Sequence, residues 1–391
     1  ATKTVQVIQK GAPKWTEKTL EEFEAGEAFF QATYWDGKMP QKERDAWQAT
    51  EPIIPGPLEF DIELPVDAWS AETPNIYQVE YILSDPQGKV VQTATQKVGF
   101  RRVEIKDHHL LVNGQPVIFY GINRHDFNKR TGRVISKDDY RADLLALKAN
   151  NFNAVRTSHY PNDPVFMQLC DELGFYVIDE ANIESHAFQN QICNDQKYLS
   201  QWVDRIARLV QRDIHHASAI FWSLGNESGA GLNHRAAAAY VRSFDPTRPL
   251  HYEGAIRGNW TENHDLTDVV CPMYPSISAI ISYAKSKKAD RPLIMCEYSH
   301  AMGNSNGGLA DYWEAITETP GLQGGFIWEW KDHGLRRRMP VTAEYHGPAM
   351  TVRLNGTRHA TPMLLVVAAI GVANVLFAVD SIPAVFGITT D

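Results

Sequence analysis

Eight short apolar runs recur between residues 117 and 330, and most close on polar side chains. They are VIFYGINRH (117–125), NAVRTSH (153–159), FYVIDEAN (175–182), AIFWSLGNE (219–227), PLHYEG (249–254), VVCPMY (269–274), PLIMCEY (292–298) and GGFIWEW (324–330). Runs of this length, bounded by loop residues, read as buried strands. Amphipathic stretches lie between them: Lys137–Ala149 with Ser136 as its N-cap, Leu199–His215, and Asn233–Ser243. Eight strands alternating with helices over roughly 200 residues predict an α/β fold, a (β/α)8 TIM barrel. A doubly wound sheet would place a Gly-rich phosphate loop after its first strand, and GINRHDF is not one.

The flanks have a different texture. Residues 1–103 alternate with period two at Thr4–Ile8, Leu58–Leu64, Ile76–Leu83 and Val90–Val98, and turns fall at PGP (55–57), ETP (72–74) and DPQG (85–88). This predicts an antiparallel β-sandwich, expected to be truncated at its start because the chain opens within a strand-like segment, ATKTVQVIQK. Residues 335–391 break the pattern again. Arg336, Arg337 and Arg338 are consecutive, and no Asp, Glu, Lys or Arg occurs from His359 to Val379. The 18 residues 362–379 form an apolar span at the lower bound of a transmembrane helix, about 17–25 residues. A buried core helix is the competing reading.

Net charge is −9, which leaves no basic footprint for nucleic acid. Cys170, Cys193, Cys271 and Cys296 form no C-x-x-C pair, so they read as buried thiols of a reducing, cytoplasmic compartment.

Barrel sites form at the C-terminal ends of strands. Collected there are Asn123, Arg124, His125 and Asp126; Arg156, Ser158, His159 and Tyr160; Asp179, Glu180 and Asn182, followed by Glu184 and His186; Asn226 and Glu227; Tyr274; Glu297, Tyr298 and His300; and Trp328, Glu329 and Trp330. The rim lacks a Schiff-base lysine and a G-x-S-x-G elbow. Glycoside hydrolysis needs two carboxylates, one giving a proton to the leaving oxygen, the other attacking the anomeric carbon or activating water. Glu227 and Glu297 each close an apolar strand and sit three strand steps apart, so they face each other across the barrel mouth. A structural ion pair is the plainer role for either alone. Glu184 and His186, two apart on extended chain, project together. With Glu227 nearby they could hold Mg²⁺ rather than zinc, or form a loop salt bridge. His125 and His159 end adjacent strands, in polar settings that favour a site role. Trp328 could stack on a sugar ring or pack in the core.

The strings WSAETPNIYQVEYIL, VGFRRVEI, GINRHDF, VRTSHYPN, DEANIESH, WSLGNESG, CPMY, CEYSHAMGNS and QGGFIWEW are many, long and ordered. Through them residues 1 to about 334 resemble glycoside hydrolase family 2, of the large bacterial β-galactosidase type. The resemblance implies an immunoglobulin-like sandwich over 1–103 and a catalytic barrel over 104–334 lacking its last helix. It implies retaining cleavage of terminal β-D-galactose residues, from β-galactosides such as lactose, with Glu227 as acid/base and Glu297 as nucleophile. His125 and His159 would stabilise the transition state. Arg156, Asn226, Tyr274, Tyr298, Ser299, His300 and Trp328 would orient the nucleophile or hold the galactosyl group. Glu184, His186 and Glu227 would surround Mg²⁺, and the family's monovalent cation (Na⁺) site would be incomplete. Family members form homo-oligomers. The family's usual glycine after the metal loop is Ala187 here, and its N-terminal jelly roll and C-terminal aglycone-site domain have no counterpart, which predicts impaired activity.

The last residues, through RLNGTRHATPMLLVVAAIG and FAVDSIPAVFGIT, resemble the TerC-like integral membrane proteins. That implies membrane contact through 362–379, with Asp380 at an ion-handling position, and a junction near residue 335. Two further readings stand beside the glycosidase one: a TerC-type membrane segment carrying an inactive barrel, and a carbohydrate-binding remnant without turnover.

Overall fold

The computed structural model describes residues 65–85, 87–336, 341–344, 346–368 and 370. The expected strands Thr4–Ile8 and Leu58–Leu64 lie outside them. The described elements belong to one compact unit, Val66–Asp391.

At its centre is a parallel sheet of β6 (Phe119–Asn123), β7 (Ala154–Arg156), β8 (Tyr176–Glu180), β9 (Ala219–Ser223), β10 (Leu250–His251), β11 (Leu293–Tyr298) and β12 (Leu322–Ile327), in the order β10-β9-β8-β7-β6-β12-β11. Seven of the eight runs are therefore strands. The sixth, 269–274, bridges the two edges instead. Asp268 N donates to Leu250 O of β10 at 2.9 Å, Val270 N to Pro292 O at 2.9 Å, and Tyr274 N to Glu297 O at 2.8 Å. Pro272 interrupts this segment and has no N–H to give, which accounts for isolated bridges where a ladder was expected.

Helices separate most strands: α1 (Lys137–Ala149), α2 (Pro164–Leu173), α3 (Leu199–Asp213), α4 (Leu232–Phe244), α5 (Ile277–Ala284) and α6 (Leu309–Glu318). Ser136 caps α1 as the sequence predicts. Its hydroxyl accepts from Asp139 N while the Asp139 carboxylate returns to Ser136 N, a reciprocal box worth about 1 kcal/mol. After β10 the chain makes only a short 3₁₀ turn, Glu253–Ala255. Among the described residues no helix follows β12 before residue 362. A hairpin of β13 (Thr351–Leu354) and β14 (Thr357–Ala360) comes instead.

The strands' N-terminal ends are closed by apolar packing. β3 (Val103–Lys106), β4 (His109–Val112) and β5 (Gln115–Pro116) form a small antiparallel sheet. Leu110, Val112 and Val117, with Trp69, join Phe119, Tyr176, Phe221 and Phe326 in one buried cluster. Each such side chain contributes about 1.5–3 kcal/mol by leaving water. Buried Gln323 pins the cap: its Oε1 accepts from Leu110 N at 2.7 Å, and its Nε2 donates to Leu110 O and Val117 O. Gly121 lets β6 approach β12, because a Cβ there would meet the Phe326 ring at 2.5 Å. With the bottom filled by hydrocarbon, the polar groups gather at the opposite ends of the strands.

The alternating runs 76–83 and 90–98 form an antiparallel hairpin, β1 (Tyr77–Ser84) with β2 (Val90–Val98). Asp85 Oδ1 shapes the turn by accepting from Gln87 N and Lys89 N. The four cysteines are buried free thiols. In the tail, residues 362–368 are helical, and 371–391 lie outside the described residues. Among the described residues no helix is long and apolar enough to cross a membrane.

Candidate active site

Arg156, the last residue of β7, is fully buried and organises the rim. Its Nε and Nη2 donate to the two oxygens of Glu180 at 2.9 and 3.2 Å. Its Nη1 donates to Asn123 Oδ1 at 3.0 Å and Glu297 Oε1 at 2.9 Å, and its Nη2 also reaches Asn226 Oδ1 at 2.8 Å. Burial works against the guanidinium charge, but Glu180 and Glu297 outweigh it and raise its pKa. The parallel register Arg156↔Ile178 puts the β7 terminus beside Glu180.

Glu297, at the end of β11, also accepts from the Tyr274 hydroxyl at 3.0 Å on its Oε2. Burial first, and then Glu297, push the Tyr274 phenol upward, so it stays a donor. His159 donates Nδ1–H to Glu180 at 2.8 Å and presents Nε2 at 3.8 Å from Glu297 Oε1. Its ring stacks on Trp328 at 5.1 Å and meets His125 edge-on at 5.5 Å. His125 is held by the Tyr160 hydroxyl. Burial, and the neighbouring His159 and His333, lower its pKa to about 3, so it is neutral at physiological pH. Burial alone would raise the Glu180 pKa, yet Arg156, His159 and Ser223 bring it down to about 2.

Glu227 follows Asn226 with φ of 41°, a left-handed conformation also adopted by Tyr274 (45°) and Ser299 (49°). Such backbone costs of order 1–3 kcal/mol per residue and clusters at functional sites. Glu227 Oε1 bonds Arg257 at 2.8 Å and lies 3.7 Å from His186 Nε2. Glu184 Oε1 accepts from Asn226 at 3.2 Å. Thus His186 lies beside Glu227, and Glu184 beside Asn226. As placed, however, no three His, Cys, Asp or Glu side chains among the described residues form a group that could hold a metal ion.

The structure therefore brings Arg156, Asn226, Tyr274, Glu297, His159, His125 and Trp328 together. His300 is exposed, bonded to Ser305 and tilted toward Tyr274 at 6.3 Å, and Ser299 bonds Asn306. Tyr298 is not at the site. Its ring is buried in the outer core against Tyr312, because successive strand residues face opposite ways and Glu297 takes the inner side. Sequence reasoning assigned no role to Glu180, Asn123, Glu253 or Arg257. Strand ends flagged the first two, but no motif marked the turn that carries Glu253.

Comparison with known proteins bears on the same residues. The family described as "Glycosyl hydrolases family 2, TIM barrel domain" matches residues 103–351. The chain belongs to glycosyl hydrolases family 2. The further description "Glycosyl hydrolases family 2" matches residues 14–101, and "Integral membrane protein TerC family" matches 326–391, overlapping the barrel match. Among family 2 relatives, a β-galactosidase of Pectobacterium atrosepticum is 45% identical over 293 residues, covering 72% of this chain and 28% of the relative. One from Leuconostoc mesenteroides is 42% identical over 333 residues, covering 81% and 31%. The chain thus spans under a third of these relatives' length. Among solved structures, a family 2 member from Bacteroides cellulosilyticus aligns with a TM-score of 0.55 at 27% identity, covering 68% of this chain and 35% of that one. A β-glucuronidase from Ruminococcus gnavus, at 22% identity and a TM-score of 0.59 over 70% of this chain and 53% of its own, shares the fold.

Proposed function

We propose that the chain carries the catalytic barrel of a retaining β-galactosidase. The observation that carries this is Glu297: two donors, Arg156 and Tyr274, bond its carboxylate from opposite oxygens at the end of β11. That is how a nucleophile is oriented. In the first step a Glu297 oxygen bonds the anomeric carbon while Glu227 gives its proton to the glycosidic oxygen, and the bond between that carbon and that oxygen breaks. In the second, Glu227 takes a proton from water, the water oxygen bonds the anomeric carbon, and Glu297 leaves. Neutral His125 offers a hydrogen bond to a sugar hydroxyl, as does His159, and Trp328 offers an aromatic face. The identity of the β-galactosidase relatives supports galactose, such as the galactosyl unit of lactose, as the substrate class.

Mg²⁺ is a separate part of the proposal, carried by donor chemistry alone. Glu184, His186 and Glu227 are the residues that would hold it, and bound there it would supply positive charge beside the acid/base. The side chains as placed do not form that group, so no step is derived through it. The domain assignment is likewise a proposal: an immunoglobulin-like sandwich over 1–103, a (β/α)8 barrel over 104–334, and a TerC-like tail over 335–391. The TerC match favours membrane contact by that tail through 362–379, and the four free thiols suit a barrel in the cytoplasm.

The deciding measurement is hydrolysis of p-nitrophenyl β-galactoside by the chain and by Glu297→Gln. We expect turnover by the former and a loss of at least 10³-fold in the latter. Equal rates would remove the nucleophile assignment. Sugar binding by a folded chain without turnover would favour the carbohydrate-binding reading.

A further inference from the structure

Glu253 lies in the 3₁₀ turn after β10 and is 3% exposed. Its Oε1 accepts from the backbone N–H of Glu227 at 2.7 Å. Its Oε2 lies 3.4 Å from Arg257 Nε, and Arg257 Nη2 reaches Glu227 Oε1 at 2.8 Å. Arg257 is fixed in turn by Gln189 Oε1 at 2.8 Å. A buried carboxylate therefore grips the main chain of Glu227, and one guanidinium spans both carboxylates. The grip falls on a residue in left-handed backbone conformation, φ 41°. A non-glycine residue keeps that conformation only when its surroundings impose it. No other protein group among the described residues bonds that N–H. The neighbouring turn is equally tight, since a Cβ on Gly225 would come within 2.4 Å of Ile183 O.

We propose that Glu253 and Arg257 are positioning residues for Glu227: Glu253 sets the backbone that aims its carboxyl at the glycosidic oxygen, and Arg257 holds the carboxyl in place. This rests on Glu227 being the acid/base. Both act through Glu227. Their effect falls on proton delivery to the leaving group, a step that a good leaving group does not need and a poor one does.

That asymmetry supplies the test. Hydrolysis of 2,4-dinitrophenyl β-galactoside and of methyl β-galactoside is compared in the full chain, Glu253→Gln and Glu253→Ala. Glu253→Gln retains an acceptor oxygen and should stay near the parent on both substrates. Glu253→Ala should lose about 10²-fold in kcat on the methyl glycoside. On the dinitrophenyl glycoside its rate of bond cleavage, read as the pre-steady-state burst, should fall by less than about threefold. Arg257→Met, at a half-exposed position that does not threaten folding, should show the same selectivity more weakly and keeps the test open if Glu253→Ala fails to fold. Equal losses on both substrates, or none on either, would overturn the proposal. A folded parent that turns over neither substrate would overturn the glycosidase reading, and the proposal would fall with it.

Discussion

Arg156 donates to Glu297 Oε1 at 2.9 Å from a position with no solvent exposure, and the same guanidinium holds both oxygens of Glu180. The nucleophile candidate on β11 is thereby tied to a second carboxylate on β8, four strands away in the sheet order. An arginine fork can serve five acceptors in fixed directions, and a lysine cannot. Arg156→Lys is expected to fold but to lose about 10²-fold in kcat with a small change in KM. Arg156→Met strands two buried carboxylates and should cost about 3–5 kcal/mol of stability. Urea melts and steady-state rates check the pair of variants.

Tyr274 offers a narrower test, because among the described residues its hydroxyl bonds only Glu297 Oε2. A hydrogen bond to a charged group contributes about 1.5–3 kcal/mol. Tyr274→Phe should therefore lower kcat by roughly 10- to 100-fold and leave the melting temperature nearly unchanged, since the ring is 46% exposed. A KM-only effect would place the hydroxyl on the substrate rather than on the nucleophile.

Glu180 predicts a pH signature. Its pKa falls from an ordinary 4.5 to about 2, because Arg156, His159 and Ser223 prefer its ionised form. A depressed carboxylate stabilises the fold above its unfolded pKa, and that contribution is lost as pH falls through the folded pKa. Stability should then drop between about pH 4.5 and 2 in the parent. In Glu180→Gln that part of the drop should be missing, at the cost of a less stable protein at pH 7. Thermal melts across this range read the difference.

The strands that build this site were legible because buried parallel strands are apolar on both faces, and helix and loop residues punctuate them. Glu227 and Glu297 stood out as carboxylates that end such runs. The sixth run misled in form, since Pro272 denies it a ladder while its neighbours still hold it between β10 and β11. Tyr298 was misplaced although the period of two had the answer: with Glu297 facing the mouth, the next side chain must face the helices. Glu180 could not be read as the partner of Arg156, because that contact needs the β7–β8 register, which no local pattern encodes. Glu253 needed more still, being a turn residue 26 positions from the N–H it holds.

Glu329 provides the opposite pH case at the edge of the same site. The residue is 5% exposed, and among the described residues no well-aligned donor reaches its carboxyl oxygens, with His333 Nε2 3.2 Å away but out of line. Burial first, and then the charges of Asp332 and Glu297, raise its pKa from 4.5 to about 7. The backbone N–H of His125 and then the charge of Arg133 only partly offset this. A raised acid favours the fold while it is protonated, below the unfolded pKa, and loses that advantage as pH rises through the folded value. The parent should therefore lose stability between about pH 4.5 and 7. Glu329→Gln mimics the protonated group at every pH, so its melting temperature should match the parent near pH 4 and exceed it increasingly toward pH 7. A constant difference across that range would mean that Glu329 ionises in the folded protein as it does in water.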